Sequence, residues 1–272
     1  RAPNRAGPAT APAPPIRGAG ASRSGGRSVE PGAGMAQNPA GMPDGATIQR
    51  MFAEVAPGYD RANRVLSLGV DVWWRRQTVR VVGVRPDERG LDVCAGTGDL
   101  CFALQRAGAR MLGADFCAPM LAHTHHKGGG RPGAPAFVAA DALALPFGDA
   151  RFDFATVAFG IRNVQDPVRA LREMARVVRP GGRVVVLEFA KPRVPLFGAA
   201  YRFYFDKVLP RLGSWIGGVR NGAYRYLHDS VMAFPEREAF LALMRDAGLA
   251  APRQRLLTGG IAAIYRGEVP AA

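Results

Sequence analysis

Cysteine, histidine and lysine are scarce in this 272-residue chain, and each scarcity removes a kind of chemistry. The three cysteines, Cys94, Cys101 and Cys117, are odd in number and show no C-x-x-C spacing. A disulfide framework is therefore not expected, and a reducing cytoplasm fits. Of the four histidines, His123 and His126 would share a helix face. No third ligand type clusters near them and the helix runs out into Gly128-Gly129-Gly130, so no metal site is expected. No apolar run reaches the roughly 18 residues of a membrane span, which leaves a protein that is soluble or peripheral to a membrane. Acids are also few, 22 against 36 Lys and Arg, for a formal net charge of +14. Nucleic acid or an anionic membrane would answer to that excess. Lysine occurs only at Lys127, Lys191 and Lys207, however, in a chain crowded with Ala, Gly and Pro. A GC-rich coding bias produces the same arginine excess, so charge alone does not point to nucleic acid.

Residues 1–34 have almost no large apolar side chain and cannot build a core. We expect a disordered tail over residues 1–45, with Met35 and Met42 as candidate starts, and a single domain over residues 46–268, a length within the range of one α/β domain.

The stretch that organises that domain is Leu91-Asp92-Val93-Cys94-Ala95-Gly96-Thr97-Gly98-Asp99-Leu100. It reads as a strand, a tight glycine loop and a helix. Gly96 and Gly98 allow a sharp turn in front of the amides that open the helix. A dinucleotide fingerprint would want a third glycine where Cys101 stands, and Asp99 would set a carboxylate beside any phosphate. A cofactor without phosphates is favoured. Asp115 closes the next apolar run, where an acid accepts hydrogen bonds from a ribose diol. An adenosine with a cationic tail satisfies both features, and S-adenosylmethionine is that molecule, its positive charges suiting Asp92 and Asp99.

Before the loop, Ile48–Ala56 has helical spacing and stops at Pro57-Gly58, and Val72–Arg76 begins a second amphipathic helix; the two resemble a lid. After it come strands at Phe137–Ala142, Phe152–Phe159 and Arg183–Phe189, separated by turns and by a helix over Val168–Val178 that Asp166-Pro167 caps. Strand, helix, strand in repetition implies an α/β fold, a parallel sheet with helices on both faces. Asp92, Asp115, Asp141, Arg162 and Glu188 would then gather at the carboxyl ends of the strands, where ligands bind.

These residues resemble the class I S-adenosylmethionine-dependent methyltransferases, a Rossmann-like fold, and within them the ubiquinone/menaquinone biosynthesis C-methyltransferases. The narrow matches are Phe52–Asp60, Leu91–Leu100, Ala158-Phe159-Gly160-Ile161-Arg162-Asn163-Val164, Leu187-Glu188-Phe189-Ala190-Lys191-Pro192 and Leu257–Ala262. Two positions depart from the pattern. Cys94 stands where such enzymes generally carry the first glycine, and Ala95 replaces a glycine frequent in the subfamily. The resemblance implies that Tyr59, Asp92, Gly96, Thr97, Gly98, Asp115, Asp141, Ala142 and Ala158 bind the cofactor. Asp115 would take the ribose, the Asp141-Ala142 pair the adenine, and Tyr59 with Asp60 the methionine end. It implies a polyprenylated quinol as acceptor, methylated at a ring carbon, with another small molecule as the alternative substrate of the same fold.

A ring carbon becomes a good nucleophile once a ring hydroxyl loses its proton, so a group that steadies the resulting oxygen is needed. Arg162 and Asn163 are the candidates; an Arg stays protonated, so its part would be electrostatic. Glu188, Tyr226 and His228 are weaker candidates. Residues 192–234 form an insertion before the last strands in which Phe197, Tyr201, Phe203 and Trp215 alternate with Arg193, Arg202, Lys207 and Arg211. Aromatics beside cations suit a membrane interface, where a polyprenyl substrate resides. No nucleic-acid partner is expected, and homo-oligomer formation stays open.

Overall fold

In the computed structural model, residues 44–128, 133–192 and 221–271 are described; the aromatic stretch of the insertion, residues 193–220, and the expected tail, residues 1–43, lie outside them. Near-continuous apolar runs build the sheet. β1 (Arg89–Val93) is buried from its second residue onward, and Val184–Leu187 of β5 (Val178–Phe189) are entirely buried. Such runs are the mark of strands covered on both faces. With β2 (Arg110–Asp115), β3 (Ala136–Ala139), β4 (Phe152–Ala158), β6 (Ala250–Leu257) and β7 (Ala262–Glu268), they form one seven-stranded sheet in the order β3-β2-β1-β4-β5-β7-β6. The first five strands are parallel: Leu91 pairs with Leu112 on one side and Ala155 on the other. β7 runs antiparallel to both neighbours, so the sheet is mostly rather than wholly parallel. β6 closes the edge with exposed Arg253, Gln254 and Arg255, a charged rim that discourages further pairing.

The two-residue period of the strands divides the core. Val184 and Val186 belong to one apolar cluster together with Ala170, Leu171 and Met174 of α6 (Pro167–Val177) and Phe240 and Met244 of α8 (Glu238–Asp246). Val185 and Leu187 face the opposite cluster, with Trp74 and Val82 of α3 (Val70–Val82) and Leu100, Cys101 and Leu104 of α4 (Asp99–Arg106).

The chain departs from a strict strand-helix repeat between β3 and β4, where no helix forms. Leu145-Pro146-Phe147-Gly148-Asp149 leaves too few helix-compatible residues there, and the link instead folds on an Asp141 to Ala144 bridge. The helix before β5 ends at Val177, and Val178 already pairs with Phe152 before the Pro180–Gly182 bulge shifts the register.

The segment ahead of β1 is more helical than its spacing suggested. α1 (Gly45–Val55), capped by the Asp44 carboxylate accepting from Thr47 N at 2.7 Å, passes through one tight turn at Ala56–Gly58 into α2 (Tyr59–Leu66). α1 is tied to the start of α5 (Ala118–Gly128): Gln49 Nε2 donates to Phe116 O at 2.7 Å. The insertion re-enters the described residues as α7 (Asn221–Ala233). Among the described residues no helix is long and apolar enough to cross a membrane, all three cysteines are free, and no group of three metal-ligating side chains occurs.

Candidate functional site

The loop after β1 is shaped by backbone conformations that most side chains avoid. Cys94, at the position a glycine was expected to fill, has φ 52° in the left-handed region. Its side chain fits because Gly160 faces it: a Cβ on Gly160 would lie 2.4 Å from Cys94 Cβ. Gly98, at φ 82°, turns the chain into α4, and a Cβ there would strike Phe137 at 2.7 Å. Its missing side chain thus admits a core aromatic rather than a ligand. Gly96 N donates to Asp115 Oδ2 at 2.7 Å, and Cys117 N donates to Asp115 Oδ1 at 2.8 Å. One carboxylate therefore fixes the glycine loop to the start of α5. Burial raises the Asp115 carboxyl above the ordinary range, and the two amides hold it partly back.

These loops enclose a cavity of about 200 Å³ at the carboxyl ends of β1 to β4. Its lining includes Tyr59, Gly96, Asp115, Asp141, Ala142, Ala158 and Asn163 of the expected site residues. Asp141 keeps one oxygen on Leu143 N at 2.9 Å and is exposed. Ala140, Ala142, Leu143, Phe116 and Met120 supply an apolar wall. Phe52 and Tyr59 pack edge to face, ring centroids 6.2 Å apart, and cover Cys117 and Met120. Two carboxylates beside an apolar slot under an aromatic cover suit a nucleoside with a cationic chain.

Asp92, Thr97, Gly98 and Arg162 lie beside this lining rather than in it. Asp92 is 2 % exposed and accepts from Thr156 Oγ1 at 2.7 Å. Desolvation drives its carboxyl up to about 7, against the opposing pull of the Thr156 hydroxyl and Arg75. Thr97 Oγ1 donates to Asp60 Oδ1 at 2.6 Å. Lys127 Nζ then reaches Thr97 Oγ1 at 2.9 Å, Asp60 Oδ2 at 2.6 Å and Asp99 Oδ1 at 2.7 Å. This knot joins α2, the glycine loop, α4 and the end of α5. Sequence spacing gave no sign of it, because Lys127 is remote in the chain from both acids.

On the acceptor side, Arg162 sits in the short turn Ile161–Asn163 after β4 and is 5 % exposed. Its Nη1 donates to Phe159 O at 2.6 Å and to Glu188 Oε1 at 2.8 Å, and its guanidinium lies 5.2 Å from the Phe189 ring centre. Arg162 Nε and Glu188 Oε2 are buried without a hydrogen-bond partner in the protein. Burial holds the Glu188 carboxyl above its usual range, with Arg162 opposing. Tyr226 Oη, from α7, donates to Asn163 Oδ1 at 2.9 Å, and desolvation keeps that phenol protonated. His228 turns instead to Asp229, 3.0 Å away, at a half-exposed position.

A mostly parallel sheet with its cavity at the strand carboxyl ends, an acid-pinned glycine loop and a second acid opposite define an S-adenosylmethionine-dependent methyltransferase. Residues 42–268 match the ubiE/COQ5 methyltransferase family, and the chain belongs to it. It is 51 % identical over 222 residues to the demethylmenaquinone methyltransferase of Thermus thermophilus, covering 81 % of this chain and all of that one. It is 45 % identical over 231 residues to the ubiquinone/menaquinone biosynthesis C-methyltransferase UbiE of Bdellovibrio bacteriovorus, covering 84 % and 97 %. Among solved structures, a SAM-dependent methyltransferase of Thermotoga maritima superposes with TM-score 0.57 at 21 % identity over 82 % of this chain and 99 % of that one. The [4+2]-cyclase SpnF gives 0.63 at 16 % over 88 % and 100 %. A cyclase on the same scaffold shows that these distant likenesses concern the fold alone.

Proposed function

We propose that this protein transfers the methyl group of S-adenosylmethionine to a ring carbon of a polyprenylated quinol, converting a demethylmenaquinol to a menaquinol or a polyprenyl benzoquinol to its methylated form. Residues 46–268 are the catalytic domain. Full-length similarity to a demethylmenaquinone methyltransferase supports the acceptor class. The observation that carries the reading is Asn163, which lines the cavity and accepts at Oδ1 from Tyr226 Oη at 2.9 Å.

On this reading Asp115 takes the ribose, Asp141 and Ala142 the adenine, and Gly96 and Tyr59 the methionine end, with Thr97 supporting them from behind through Asp60 and Lys127. Ala158 floors the cavity beside them. The cofactor supplies an electrophilic methyl carbon on its sulfonium. Tyr226 donates to Asn163 Oδ1 and Asn163 Nδ2 donates to Phe159 O at 3.5 Å, so the second N–H of Nδ2 is the donor left for an acceptor oxygen. Arg162 stands one side chain behind, where its charge stabilises an oxygen losing its proton without touching it. Asp92 contributes a buried acid below the glycine loop whose ionised form a nearby cation favours. The Phe52 and Tyr59 cover excludes water, and proximity then supplies much of the acceleration.

Methyl-labelled cofactor offered with a demethylmenaquinol and, separately, with a benzoquinol tests the proposal. Labelled methylated quinol is the expected product. Cofactor binding without transfer to either quinol would move the acceptor to another small molecule.

A further inference from the structure

Five large apolar side chains stand exposed among the described residues, and three of them, Val65 (38 %), Leu68 (78 %) and Trp73 (43 %), fall at the corner between α2 and α3. That concentration is not a frayed end. Leu68 has φ 51° and Gly69 φ 76°, a turn closed by Gly69 N donating to Arg64 O at 2.8 Å. Beneath it, buried Asp71 accepts from Ser67 Oγ at 2.8 Å and pairs with Arg64 and Arg75. A leucine held in the left-handed region and pointed at water carries a conformational and a solvation cost, and the anchored turn sustains both.

Beside the corner lies a groove of about 380 Å³ whose charged lining is Arg64, Arg75, Arg76, Arg80, Arg106 and the single acid Asp99. Arg64 and Arg75 are shared with Asp71 and Asp99. Arg76, Arg80 and Arg106 are exposed, and among the described residues no acid pairs with them. Trp73, Arg76 and Arg80 follow i, i+3, i+7 spacing and are all exposed, so one face of α3 carries an indole followed by two guanidiniums. The corner is also at the right end of the molecule. Trp74, the next residue, packs on Phe159 and Phe189 at the carboxyl ends of β4 and β5, and Phe159 lines the cavity.

We infer that the α2–α3 corner is a docking element for an anionic lipid bilayer, with Val65, Leu68 and Trp73 entering the acyl boundary and Arg76, Arg80 and Arg106 collecting lipid phosphates. Indole at the interface with arginine at headgroup level is the arrangement such surfaces use. Aliphatic Leu68 and Val65 add nothing to base stacking, which favours lipid over nucleic acid. The inference rests on the polyprenyl quinol reading, since a substrate dissolved in the bilayer gives the cavity end of the fold a reason to face it.

The test is co-sedimentation of the full chain with phosphatidylglycerol-containing vesicles and with pure phosphatidylcholine vesicles. Leu68→Ser/Trp73→Gln and Arg76→Gln/Arg80→Gln variants are run alongside, and each is assayed on a short-chain, water-soluble demethylmenaquinol. Wild type should pellet with the anionic vesicles and less so as salt rises. The apolar pair should weaken partitioning at least tenfold, and the arginine pair should abolish the anionic preference, both with wild-type melting and soluble-substrate turnover. Equal partitioning of all three proteins, or none by wild type, overturns the docking element. Retention on duplex DNA that the arginine pair loses, without vesicle binding, assigns the groove to nucleic acid instead. Vesicle binding without methylation of any quinol leaves the docking element standing and removes the substrate reading.

Discussion

Arg162 Nη1 lies 2.8 Å from Glu188 Oε1, and both side chains are buried, so the guanidinium that sequence position aimed at the acceptor is committed to a neighbouring strand. Removing one partner strands the other charge, which costs about 3 to 5 kcal/mol. Arg162→Leu is therefore expected to lower the melting temperature as well as turnover. An Arg162→Leu/Glu188→Leu pair should recover the melting temperature and not the single-turnover rate. Recovery of both would confine Arg162 to a structural part.

Asp115 holds the glycine loop and faces the cavity, so its replacement must separate the two duties. Asp115→Asn keeps an acceptor oxygen for a backbone amide but loses the charge. Cofactor affinity should fall by about 1.5 to 3 kcal/mol, the value of a hydrogen bond to a charged group. Titration calorimetry with S-adenosylmethionine reads it, and unchanged affinity would free Asp115 from the ribose.

Asp92 links stability to pH. Its folded carboxyl titrates at about 7 against an ordinary 3.8, so between those values the unfolded chain is ionised while the folded chain holds a proton. The unfolded state then binds fewer protons, and stability falls as pH rises through that window and levels off above it. Asp92→Asn should flatten this slope in melting curves. Binding a cation nearby favours the carboxylate, so cofactor binding near neutral pH should release a proton, seen as a buffer-dependent enthalpy.

Lys127 ties the lid to the loop through Asp60, Thr97 and Asp99. Lys127→Met should raise the KM for the cofactor several-fold and leave kcat close to wild type, with Lys127→Arg restoring part of the loss. A fall in kcat alone would show that the knot supports chemistry rather than closure.

Gly160 and Cys94 share one space. Gly160→Ala should destabilise the protein by about 1 to 3 kcal/mol through overpacking. Cys94→Gly, which suits the left-handed φ at that position, should rescue most of the melting temperature in the double variant.

The sequence by itself determined the sheet and the family of the site. Runs such as Val184–Leu187 are apolar at every step because two helical layers cover them, and that pattern survives in one dimension. The loop Cys94–Asp99, Asp115, Asp141 and the Ile161–Asn163 turn were legible for the same reason: each terminates a strand, and strand ends converge in a parallel sheet. Tertiary structure alone decided which polar groups meet. Arg162 and Glu188 are 26 residues apart and Tyr226 is 63 from Asn163, and no local periodicity encodes such pairs. It also decided that Asp92 is buried on the α4 side, that Gly98 makes room for Phe137, and that Trp74 is core while Trp73 meets solvent. Those outcomes depend on which face of each element the packing covers, and a buried charge or an absent Cβ acquires its meaning only from the atoms brought against it.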